Sequence, residues 1–169
     1  DIDLIMLEPR TNSIKEEVYL GKTSGKIVKQ TKIPALIVPE GMKFQPLDNI
    51  MMAIKSAIIN RSEALKPLKE IKAAFNSTVH LLLVKTPYHV EGDFEVTDDL
   101  ATIIDSSTKS ENPTTFQGVL ENYKDINPNL LVVVRRNRGF FTKLWEKNTI
   151  LKKDFHSSKL PVLVLQVMK

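Results

Sequence analysis

A chain of 169 residues, 42% hydrophobic and 26% charged, suits one domain with a real core and is too apolar to stay disordered. The absence of cysteine excludes disulfides, thiolate catalysis, iron–sulfur clusters and Cys-based zinc sites together. A net charge of +4, from 24 Lys and Arg against 20 Asp and Glu, is too slight to mark a nucleic-acid binder. No apolar run approaches the ~18 residues of a membrane span. The opening Asp1-Ile2-Asp3 lacks the basic and apolar regions of a secretion signal, so a cytoplasmic location is expected.

In chain order, Asp3-Leu4-Ile5-Met6-Leu7 is a short apolar strand. Some twenty helix-compatible residues follow, and then a second apolar run, Pro34-Ala35-Leu36-Ile37-Val38. Gly41 to Pro46 is a junction. Asn49 to Ile54 is a strand, and Leu68, Ile71 and Phe75 form one face of a helix that carries Pro67 in its first turn. Val79 to Val84 is the clearest strand, stopped by Thr86-Pro87. Thr97 is placed to cap a short helix over Asp98 to Ile104. Thr114-Thr115-Phe116 is predicted as an edge strand beside Pro113, and Gly118 to Lys124 as a short helix. Asn129 to Val134 and Pro161 to Leu165 are the last two strands, with a helix between them.

The chain repeats itself once. Sliding it by 127 residues puts Leu4 on Leu131, Lys32 on Lys159, Pro34 on Pro161 and Leu36 on Leu163 without a gap. Each copy reads as strand, helix, strand, the last opened by Lys-x-Pro, which implies parallel strands covered by helices. The second copy closes a complete unit over 44–169. The first would be only the closing third of an equivalent unit, over 1–41, so the chain is expected to start inside a domain.

This ending and this order of elements resemble the universal stress proteins, of which tandem members carry two such units. The resemblance implies an open α/β fold, Rossmann-like and of the adenine nucleotide alpha hydrolase type. It comprises a parallel five-stranded sheet in order 3-2-1-4-5, helices on both faces, and the strand–helix–strand remnant of a preceding repeat. Nucleotide-binding members carry G-x-x-G-x(9)-G-[ST] after the fourth strand and an Asp at the end of the first. Here the matching positions hold Arg135, Arg138, Asn148 and Thr149 in the second copy, and Glu8, Thr11, Gly21 and Lys22 in the first. Lys55 stands at the Asp position. The resemblance therefore implies a degenerate nucleotide site and no cofactor, ATP or AMP being the candidates if one binds. It also implies that last strands pair antiparallel, so Ile33–Val38 is expected beside Leu160–Gln166, as a pseudo-dimer or in a homo-oligomer. The expected activity is non-enzymatic, a stress-response protein acting by association.

Arg135-Arg136-Asn137-Arg138-Gly139 lies where the fourth strand feeds its helix, the edge at which open α/β sheets bind ligands. Three guanidinium groups there could hold a phosphate or carboxylate, with Lys55, Asn148 and Thr149; the plainer reading is a solvated turn. From Arg135 to Lys159 eight basic residues face two acidic ones, whereas Glu91 to Asp125 holds nine acids and two lysines. That asymmetry suits association between oppositely charged faces. Gly21-Lys22-Thr23 imitates the end of a P-loop, but Glu16 stands where the loop's first glycine belongs. His80, His89 and His156 share no metal-ligand spacing, and Asp98-Asp99 reads as first-turn carboxylates of a helix. Phe140, Phe141 and Trp145 read as the inner face of the last helix.

Overall fold

The computed structural model describes residues 1–9, 21–136, 154–155 and 157–167. Seven strands form one sheet: β1 (Ile5–Leu7), β2 (Ala35–Ile37), β3 (Asn49–Ile54), β4 (Thr78–Lys85), β5 (Ser106–Glu111), β6 (Leu130–Arg135) and β7 (Val162–Gln166). Their spatial order is β1-β2-β7-β6-β3-β4-β5, and every neighbouring pair is parallel except β2 with β7. The five strands from β3 onward thus run third, second, first, fourth, fifth across the sheet.

The described helices are α1 (Gly21–Gln30), α2 (Lys66–Phe75), α3 (Asp98–Ala101) and α4 (Thr115–Ile126). Strand residues alternate between two cores, as a sheet covered on both faces requires. Met51, Ala53, Leu82, Val84, Leu131, Val133, Val162 and Val164 join Val28 of α1 and Phe116, Val119 and Leu120 of α4 on one face. Ile50, Met52, Leu81, Leu83, Val132 and Leu163 meet Leu68 of α2 and Leu100 of α3 on the other. Pro67 sits in the first turn of α2, and the left-handed Asn76 (φ 51°) ends it. Leu68, Ile71 and Phe75 do share the buried side of that helix.

Gly118 lets α4 lie close on β4. A Cβ there would stand 2.7 Å from Val84 Cγ2.

Three expectations need correcting. Thr115 belongs to a helix, not a strand: Thr114 Oγ1 accepts from Gln117 N at 3.1 Å and starts α4, which runs past the expected Gly118–Lys124. The third strand is instead Ser106–Glu111, which contains no apolar residue and forms by pairing with β4. Thr97 precedes α3, but its hydroxyl makes no cap bond and is buried without a partner among the described residues, and the helix ends at Ala101. Finally, the repeat is gapless only at its second strand. Ile5 N donates to Pro34 O at 2.9 Å and Leu131 N to Pro161 O at 3.0 Å, so Ile5, not Leu4, is the counterpart of Leu131. The reason is the pleat, because Leu7 and Val133 must reach the same core.

The antiparallel pair has a symmetric register. Leu36 faces Leu163, its own counterpart in the repeat, while Ala35 faces Val164 and Ile37 faces Val162. A local two-fold axis therefore passes between Leu36 and Leu163. Val28 and Phe155, also 127 apart, are both fully buried on the same face of the sheet. The helix expected before β7, with Phe140, Phe141 and Trp145, lies outside the described residues.

Candidate functional site

Strand order reverses at β3 and β6, because the chain steps from β3 outward to β4 and β5, then returns to β6 and moves the other way to β7. Loops leaving the carboxyl ends of two such strands diverge, and the crevice between them is the ligand site of open α/β sheets. Here that point lies at the ends of β3 and β6, beside the loop that follows Ile54 and Arg136.

Of the residues singled out from the sequence, Lys55 directly follows β3 and is exposed. Arg135 ends β6 and is half-buried. Its guanidinium donates to Thr31 O at 2.8 Å, to Lys29 O and to Gln166 Oε1 at 3.4 Å. It thus serves the last carbonyls of α1, groups a helix end leaves without partners. Burial pushes its pKa below the ordinary guanidinium value. The structure does not bring Lys55 and Arg135 onto a common partner. Arg138, Asn148 and Thr149 lie outside the described residues, as does His156.

Arg136 is the residue at the crevice itself. Its Nη2 donates to Ser56 O at 2.9 Å and to Ile58 O at 3.0 Å, so one side chain spans from β6 to the loop after β3. Burial pushes its pKa down, and the charge of Asp93 opposes that shift. Asp93 comes from the loop after β4. Its Oδ2 accepts from Val90 N at 2.9 Å, and its carbonyl accepts from Ala57 N at 2.6 Å. His89 meets Phe94 at a tilt, centroids 4.4 Å apart, with Nδ1 3.7 Å from Asp93 Oδ2 and no hydrogen-bond partner among the described residues. Sequence reading noticed Arg136 only as one charge in a basic turn and missed Asp93 altogether. Loop contacts of this kind have no local sequence signal.

His80 lies on β4, one strand in from the sheet edge. Its ring nitrogens meet Ser106 Oγ at 2.7 Å and Thr108 Oγ1 at 3.0 Å on β5, and burial lowers its pKa. Among the described residues no group of His, Asp and Glu could hold a metal ion. At the amino ends of β6 and β7 a groove of about 580 Å³ contains the Lys124–Asp154 pair at 2.8 Å, already neutralised. No helix among the described residues is long and apolar enough to cross a membrane.

An open α/β sheet binds phosphates where backbone can approach them closely at the carboxyl ends of its strands. The described residues show part of that position. An exposed lysine stands at the end of β3, and a guanidinium bonded to two loop carbonyls spans the gap.

Comparison with solved structures bears on the fold. A universal stress protein from Archaeoglobus fulgidus superposes with a TM-score of 0.64 over 98% of this chain and 61% of that one, at 18% identity. The chain has the universal stress protein fold. A protein of unknown function from Pseudomonas aeruginosa PAO1, PA1789, gives 0.59 over 98% of this chain and 63% of its own, at 12% identity. A putative universal stress protein from Pseudomonas aeruginosa UCBPP-PA14 gives 0.59, covering 97% and 63%, at 12% identity. The chain thus spans about three fifths of the length of the structures it resembles. No known family pattern and no curated protein matches it in sequence.

Proposed function

We propose that this chain is a non-enzymatic stress-response protein of the universal stress type, cytoplasmic, acting by association with itself or a partner and carrying a degenerate nucleotide site. On this reading β1-α1-β2 is the counterpart of the segment that ends in β7, and the β2·β7 seam is the family's last-strand contact made within one chain. The observation that carries the association is the outer strand. Ile5-Met6-Leu7 is as apolar as its counterpart in β6, yet it lies at the sheet edge with Met6 67% exposed. An edge of that kind is a template for another strand.

Light scattering during size-exclusion chromatography should give a dimer or larger assembly, and a clean monomer would overturn association with itself. Titration calorimetry with ATP, AMP and phosphate should give no binding. Micromolar ATP affinity would favour the competing reading, an anion or nucleotide module built on the arginine-rich turn.

A further inference from the structure

We propose that Arg136 is a built-in strut where the strand order reverses, tying the end of β6 to the loops after β3 and β4 instead of standing ready for a ligand. The inference deepens the degenerate-site reading and rests on it.

The strut is placed by topology. Arg136 is the first residue beyond β6, and its stem needs only to cross from one central strand to its neighbour to reach the loop after Ile54. There the guanidinium satisfies two carbonyls, of Ser56 and Ile58, that would otherwise face the crevice. Hydrogen bonds from a charged donor are each worth about ten- to hundredfold in an equilibrium constant. Such a bond is stronger where water is excluded, and Ser56 itself is buried.

The loop after β4 completes the arrangement. Ala57, between the two carbonyls, donates its own N–H to Asp93 O at 2.6 Å. Asp93 in turn orders its loop by accepting from Val90 N, and its carboxylate lies near enough to act on the Arg136 charge. The carboxylate side chain is only 15% exposed. An incoming phosphate would therefore meet a guanidinium already bonded to carbonyls and a carboxylate that repels it. Both N–H groups of Nη2 are used by the protein's own backbone.

Hydrogen exchange of the full chain tests this, with Arg136→Met, which keeps the aliphatic stem and removes the donors. The amides of Ala57 and Val90 should exchange about tenfold faster than in the parent, following loss of charge-assisted bonds. The amide of Asn129, which donates to Asn49 O at the far edge of the sheet, should be unchanged and reports global destabilisation. If Arg136→Met does not fold, Arg136→Lys keeps the charge but ends one atom short of the Nη2 position, and the same two amides should exchange faster in it.

Unchanged exchange at Ala57 and Val90 would overturn the strut while leaving the degenerate-site reading intact. ATP binding by the parent chain would overturn the degenerate-site reading. If Arg136→Met then abolished that binding, the strut would fall too, because Arg136 would be a ligand-binding residue.

Discussion

The two strand–helix–strand copies are alike in architecture and unlike in surroundings. In the second copy β6 pairs with β3 on one side and β7 on the other, and Leu131, Val132 and Val133 are buried. In the first copy β1 pairs only with β2, and Ile5, Met6 and Leu7 range from half-buried to exposed. An apolar strand is thus buried by its neighbours and not by its own composition. The seam between the copies hides this difference from within, because Leu36 and Leu163 face each other on a symmetric register.

Matched substitutions at counterpart positions sharpen the contrast. The largest effect is expected at Phe155, which is fully buried and meets Phe116 and Tyr123 edge-on at centroid distances of 5.7 and 5.3 Å. Phe155→Ala should cost about 3–5 kcal/mol in chemical denaturation. Its counterpart Val28→Ala removes two methyl groups and should cost about half as much. Equal losses would mean that the two positions contribute alike, and that the aromatic cluster under α4 adds nothing.

A smaller difference is expected in the strands. Val132→Thr puts a hydroxyl into the core beside Leu163 and should cost about 1–3 kcal/mol. Met6→Thr, at the counterpart position on the bare edge, should stay within about 0.5 kcal/mol in a monomeric preparation. A substantial loss for Met6→Thr that grows with protein concentration would instead place Met6 in an interface.

The outer edge at β5 gives the smallest effect. Lys72 Nζ lies 2.5 Å from Asp105 Oδ2, and that bond, followed by the one from Val79 N, holds the Asp105 carboxyl below its usual pKa. A lowered folded-state pKa stabilises above the unfolded value, near ~3.9, and the benefit is lost as pH falls through the folded-state value. Asp105→Asn should therefore be less stable than the parent at neutral pH and converge with it in acid. The pair is partly exposed, so the neutral-pH difference should not exceed about 1 kcal/mol. A difference that persists unchanged in acid would assign the loss to packing.

Much of this architecture was legible because its strands are apolar. Asn49–Ile54, Thr78–Lys85, Leu130–Arg135 and Val162–Gln166 announce themselves as buried runs, and Pro34 and Pro161 mark equivalent turns. Ser106–Glu111 could not be read, since an exposed polar edge strand carries no periodic signal; only pairing with β4 and the bonds to His80 define it. The shift by one residue between β1 and β6 was hidden for a related reason, as runs of Leu, Ile and Val align equally well in either register. At the site, the arginine-rich turn was visible and its geometry was not. Arg135 and Arg136 turn onto carbonyls about a hundred and about eighty positions away in the chain, at Thr31 and Ser56.

The central claim is that the two copies join within one chain about Leu36 and Leu163. Because the chain has no cysteine, Leu36→Cys combined with Leu163→Cys reports that contact without background. Residues directly opposed in an antiparallel pair stand about 4.5–5.5 Å apart at Cα, inside the range a disulfide spans. Met6→Cys combined with Leu163→Cys is the control, since two strand spacings, about 9.5 Å, are too far to bridge. Mild oxidation should convert the first variant to an internally cross-linked monomer and leave the control reduced. Cross-links only between chains, or none in the first variant, would contradict the seam.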